Sequence, residues 1–132
     1  MLTHDEFNAL AAQGFNRIPV VREVFSDLDT PLSVYLKLAD GPHTYLFESV
    51  EGGENWGRYS IIGLPAKTTY TLRGHRLSIA QFGEVVEERE LADPLAALDR
   101  LRESFRVPKL PDLPAFTGGL VGYWGFDTIR YV

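Results

Sequence analysis

Lys67-Thr-Thr-Tyr-Thr-Leu-Arg-Gly-His-Arg-Leu-Ser-Ile-Ala-Gln-Phe-Gly-Glu-Val-Val-Glu-Glu-Arg-Glu90 decides the fold, because it reads as three short strands joined by two tight turns. Alternating segments over 67–73, 76–82 and 84–90 are separated by Gly74-His75 and by Gly83, which supply the positive φ that two-residue hairpin turns demand. Upstream, Gly41 and Pro42 turn the chain into two further strand-like segments, 43–49 and 58–62. Five short strands in succession form an antiparallel pattern. Glu84, Glu87, Glu88, Arg89 and Glu90 read as a solvated strand face, with charge on an edge opposing further pairing.

Helices are expected on either side. Thr3 and Glu6 have capping-box spacing and Leu2 and Phe7 staple spacing, with Phe7, Leu10 and Ala11 on one face and Gly14 placed to end the helix. Thr30 as N-cap and Pro31 at the first helical position begin a second helix, striped by Leu32, Tyr35, Leu36 and Ala39. Asp93 and Pro94 begin a third, whose buried side is Leu95, Leu98, Leu101 and Phe105. Residues 17–25 read as a strand that Pro19 confines to an edge or a strand start. Residues 107–115 hold Pro108, Pro111 and Pro114 and read as an extended connector. Phe116 to Phe126 is aromatic, glycine-rich and strand-like, and glycines there imply close approach of another backbone or a ligand. The expected fold class is α+β, mostly antiparallel β-sheet with about three flanking helices.

The chain has 132 residues, 45% of them hydrophobic, which suits one soluble domain with a core. Thirteen basic against 18 acidic side chains give a formal charge of -5, so a nucleic-acid partner is not expected. No cysteine is present, which excludes disulfides and thiolate chemistry and suits a reducing compartment. No basic leader precedes an apolar run, and no segment reaches the roughly 18 to 20 apolar residues that span a bilayer. A cytoplasmic protein that makes no membrane contact is the expectation. The apolar end Thr128-Ile129-Arg130-Tyr131-Val132, directly after a strand-like run, suggests that residues 1–132 are one domain of a longer protein.

The chemistry-bearing stretch runs from Leu46 to Gly63. An apolar segment, Tyr45-Leu46-Phe47, ends in Glu48 and Ser49, a glycine-rich connection follows, and the next strand opens with Arg58, Tyr59 and Ser60. The polar residues are either a strand end entering solvent or two clusters that converge on a small molecule with both charges of a zwitterion. A buried ammonium would need such an acceptor. Gly52 and Gly53 are no phosphate cradle: the Lys-Ser/Thr ending of a P-loop is missing, and Glu51 and Glu54 repel phosphate. Trp56 reads first as a core residue. His4, His43 and His75 are scattered without ligand spacing, so neither a metal site nor a catalytic set is expected.

Asp27-Leu-Asp-Thr-Pro-Leu-Ser-Val-Tyr35, then Phe47 to Gly63, then Gly118-Gly-Leu-Val-Gly-Tyr123 with Phe126-Asp127, resembles the N-terminal region of anthranilate synthase component I. The resemblance covers nearly the whole chain in order. A looser version of the same region belongs to aminodeoxychorismate synthase component I of folate biosynthesis, and a non-enzymatic binding or interaction module is the alternative from another class. The resemblance implies that the full protein converts chorismate to anthranilate and pyruvate in tryptophan biosynthesis. It takes ammonia from a glutamine amidotransferase subunit and uses Mg2+, with catalytic and metal residues in a C-terminal chorismate-binding domain. This region then supplies most of the pocket for L-tryptophan, an allosteric feedback inhibitor, and is itself inactive. Glu48 and Ser49 match the family's Glu-Ser pair facing the inhibitor's amino group and backbone, and Phe47 stands where leucine is more usual. Arg58, Tyr59 and Ser60 match the second strand of the pocket, and Pro31 with Ser33 the helix start beside it.

Overall fold

The computed structural model describes residues 2–48, 59–111, 113–114 and 116–131. In chain order these form α1 (His4–Ala12), α2 (Pro31–Leu38), β1 (Tyr45–Glu48), β2 (Ser60–Gly63), β3 (Thr68–Arg73), β4 (Arg76–Gln81), β5 (Glu84–Glu90), α3 (Pro94–Ser104) and a 3-10 helix, Phe126–Tyr131. The class is α+β with antiparallel sheets, as expected. Two compact units are present, one of residues 25–90 and one of residues 1–24 with 91–132.

In the first unit β3, β4 and β5 form a meander in which Leu72 faces Leu77, Tyr70 faces Ile79 and Arg73 faces Arg76. Alternation puts Tyr70, Leu72, Leu77 and Ile79 on one face, and Leu77 is only 3% exposed, so this face carries the apolar burial. The β4–β5 register steps from Ile79↔Glu87 to Ala80↔Val85, leaving Val86 as the extra residue of a β-bulge. Every residue of β5 is exposed. Its glutamates are met across the sheet, where Arg76 Nε lies 3.3 Å from Glu90 Oε1 and the Ser78 hydroxyl donates to Glu88 Oε1 at 2.5 Å. The Gly74-His75 turn has φ +56° at Gly74, and the next turn has positive φ at both Phe82 (+52°) and Gly83 (+89°).

The same unit holds a two-stranded antiparallel sheet in which Tyr45 faces Gly63, Leu46 faces Ile62, Phe47 faces Ile61 and Glu48 faces Ser60. Helix α2 packs against both strands, and Tyr35 Oη and Thr44 Oγ1 share a hydrogen bond of 3.0 Å. The capping expected from Thr30 and Pro31 is present. Thr30 Oγ1 accepts from the Ser33 amide at 3.1 Å and Ser33 Oγ accepts from the Thr30 amide at 3.0 Å. The stripe read from the sequence is only partly covered, since Leu36 is 75% exposed.

In the second unit Thr3 and Glu6 form the capping box of α1 and Gly14 ends the helix with φ +88°. Asp93 caps α3 through the Ala96 amide at 3.0 Å, and Leu95, Leu98, Leu101 and Phe105 are half-buried beside buried Pro94 and Ala97. Asn16 ties the two helix ends together: its Nδ2 donates to the Ser104 carbonyl at 2.7 Å and its Oδ1 accepts from the Arg106 amide at 2.8 Å. The Arg17 guanidinium lies 5.1 Å from the Phe105 ring centroid, a cation–π contact.

Two expected strands do not form. Residues 17–24 have no strand structure; the Asn16 and Arg17 amides both bond to the Arg106 carbonyl, and a lone extended segment has no ladder to complete. Residues 116–125 are irregular and lead into the 3-10 helix, because Gly118 and Gly119 adopt φ +129° and +155°, outside the strand region open to L-residues.

Candidate functional site

Glu48 and Ser60 are the last described rung of the β1–β2 ladder. Direct partners carry side chains on the same face with Cβ atoms roughly 4.5 to 5.5 Å apart, and here the Ser60 hydroxyl donates to Glu48 Oε1 at 3.5 Å. This is the outer limit of a hydrogen bond. Both residues are exposed. The first and second polar clusters of the sequence therefore do meet, through these two residues.

Strand parity separates the other candidates. Leu46, Glu48, Ser60 and Ile62 share one face, while Tyr45, Phe47, Ile61 and Gly63 share the other. Tyr59, one residue before β2, falls by the same alternation with Phe47. Phe47 is 52% and Tyr59 55% exposed. Pro31 stands at the start of α2, the helix that packs on this sheet. Ser49 and Arg58 lie outside the described residues, as does the connection between them with Trp56.

Two features of this region were not anticipated. The Tyr45 ring covers Gly63 so closely that a Cβ on Gly63 would lie 2.0 Å from Tyr45 Cε1, and the same ring is 4.7 Å from that of Phe47, centroid to centroid. The signal was the glycine itself, at a strand position with no turn to explain it. Ahead of α2, Asp29 accepts from Lys37 Nζ at 2.5 Å and from Ser33 Oγ at 2.7 Å. The Lys37 ammonium, and then the Ser33 hydroxyl, hold the Asp29 carboxyl below its ordinary value. Here the signal was the spacing of Asp29, Ser33 and Lys37 at four-residue steps.

Elsewhere, open hollows formed by the described residues include two of similar size. One, of about 400 Å³, is lined by Leu95, Trp124, Phe126 and Ile129. The other, of about 350 Å³, lies on the polar face of the three-stranded sheet beside Thr71, Arg73 and Ser78. At the glycines of 118–125 the described residues bring only the Phe116 ring near, its Cε2 3.5 Å from a Cβ built on Gly119, and nothing within 4 Å of one built on Gly118, Gly122 or Gly125. Among the described residues no group of three or more His, Asp or Glu could hold a metal ion, and no helix is long and apolar enough to cross a membrane.

No family model and no solved structure matches the chain. Curated relatives bearing the name anthranilate synthase component 1 do match, three of them as follows. The protein of Pseudomonas putida is 52% identical over 99% of this chain and 27% of its own length. That of Pseudomonas aeruginosa is 53% identical over the same shares, 99% and 27%, and that of Acinetobacter calcoaceticus 46% identical over 100% and 27%. The chain thus spans about a quarter of the length of these relatives. With about half of its residues identical across its whole length, the chain is similar to the N-terminal region of anthranilate synthase component 1 proteins.

Proposed function

We propose that this chain is the feedback-regulatory, L-tryptophan-binding region of an anthranilate synthase component I. The observation that carries the ligand reading is the meeting of the Glu48 carboxylate and the Ser60 hydroxyl at one end of the β1–β2 sheet. A free amino acid needs an anionic acceptor for its ammonium and donors for its carboxylate. Glu48 with Ser49 faces the ligand's amino group and backbone, as the family resemblance implies, and the Arg58-Tyr59-Ser60 cluster offers donors for its carboxylate. Aromatic area for an indole is at hand in Phe47 and Tyr59, both about half exposed, and Pro31 begins the helix beside the sheet.

The complete enzyme turns chorismate into anthranilate and pyruvate, with ammonia delivered by a glutamine amidotransferase subunit and Mg2+ as cofactor. Among the described residues no group of three or more His, Asp or Glu suits that ion, and the resemblance puts its ligands in the C-terminal part of the longer protein. Chorismate chemistry is assigned to a C-terminal domain of the longer protein, and this region alone is inactive. Support for a role within a larger assembly comes from its surface, where Trp124, 64% exposed, and Phe126, 89% exposed, line one open apolar hollow with Leu95 and Ile129, since exposed apolar patches mark contact with other protein. Tryptophan inhibits only by binding one arrangement of the enzyme more tightly than the other.

The test is titration calorimetry of L-tryptophan into the complete gene product, wild type and Glu48→Ala. Saturable binding that Glu48→Ala weakens by roughly 1 to 3 kcal/mol, the cost of an unpaired charged group, is the expected result. Absence of binding to the wild type refutes the proposal.

A further inference from the structure

We infer that Ser60 is a positioning residue for Glu48, an inference that rests on the ligand reading above. The two are direct cross-strand partners, and the Ser60 hydroxyl is the donor that reaches Glu48 Oε1. Tyr59 and Ser60 are neighbours of opposite parity, so of these two only Ser60 shares a face with the carboxylate.

Strand propensity does not account for a serine here. Threonine or valine, β-branched and suited to a pleated surface, would serve an exposed strand position better, whereas a hydroxyl directly opposite a carboxylate restricts a side chain with three rotatable bonds. Holding the acceptor in place before the ligand arrives reduces the ordering cost of binding. At 3.5 Å the contact is at the outer limit of a hydrogen bond. Ser60 thus acts on the ligand through Glu48 and not by touching it.

Threonine and valine have nearly the same shape and differ in the hydroxyl, so together they isolate it. Calorimetry with L-tryptophan on the complete gene product should give a Ser60→Thr dissociation constant within about twofold of wild type. Ser60→Val should be weaker by about five- to tenfold, the worth of one hydrogen bond. Valine strengthens the strand, so a role in the sheet alone would leave binding intact. In a Glu48→Ala background Ser60→Val should add no further loss. Wild-type affinity in Ser60→Val overturns the positioning role and leaves the tryptophan site standing. An undiminished loss in the Glu48→Ala background overturns it too, by making Ser60 a direct ligand contact. A wild-type protein that binds no tryptophan overturns the site and this inference together.

Discussion

Gly63→Ala would place a methyl group where the Tyr45 ring already lies. The new Cβ would stand 2.0 Å from Cε1 and 2.4 Å from both Cδ1 and Cζ of that ring, more than 1 Å inside the ordinary carbon–carbon contact of about 3.5 to 4.0 Å. The ring has little room to yield, because the Phe47 ring lies 4.7 Å away, tilted by 32°. Forcing a methyl into such a site costs about 1 to 3 kcal/mol. Against this, alanine restricts the unfolded chain and recovers roughly 0.5 to 1 kcal/mol at a position whose φ is not positive. At a 2.0 Å approach the steric cost lies in the upper part of its range and wins, for a net loss of about 1 to 2 kcal/mol. With a urea slope of about 1 to 3 kcal/mol per molar, the unfolding midpoint should fall by roughly 0.3 to 2 M. Removing the ring reverses the sign: in a Tyr45→Ala background the same substitution should raise the midpoint. A higher midpoint in the otherwise unaltered chain, or an equal fall with Tyr45 absent, would refute the packing of Tyr45 on Gly63.

Three other perturbations follow from local geometry. Phe82 holds φ +52° while 79% exposed, so Phe82→Asn, which suits a turn with two positive φ values, should raise stability by about 1 kcal/mol; a lower urea midpoint contradicts it. Asn16→Ala removes both side-chain bonds that join Ser104 and Arg106 and should cost about 1 to 3 kcal/mol, measured as faster amide exchange at Arg106 together with a lower midpoint. Asp29, with its carboxyl held low by Lys37 and Ser33, favours the folded state in its ionised form. That contribution is full above the ordinary value of 3.8 and is lost as pH falls through the lower folded value. Asp29→Asn should flatten the acid limb of the stability profile below about pH 4, and an unchanged limb argues against the pair.

The elements legible in the sequence were those fixed by local chemistry. Thr3, Thr30 and Asp93 start helices because their side chains serve the nearest free amides. The strands of residues 67–90 were delimited by turns that glycine permits. Segments 17–25 and 116–126 misled because alternation and aromatic content describe a strand's surface, while a strand exists only where a partner supplies its ladder. For the candidate site, spacing brought Glu48 and the Arg58-Tyr59-Ser60 cluster to adjacent strands but left their register open. Once Glu48 pairs with Ser60, Phe47 and Tyr59 must face the other way. A shift of one residue would have exchanged the two sets.

The Asn16 clamp also bears on the order in which the chain can fold as it is made. Its partners Ser104 and Arg106 lie 88 and 90 residues along the chain, and residues 25–90 between them form a unit of their own. Closing a loop of that length costs on the order of (3/2)RT ln 90, roughly 4 kcal/mol plus a constant, if the intervening chain is loose. A growing chain is made at about 5 to 20 residues per second, so the contiguous middle unit is fully synthesised about 1 to 3 seconds before Arg106 is added. The first 24 residues must wait, and by the time they can be clamped, the segment that separates them from their partners has already been shortened by its own folding.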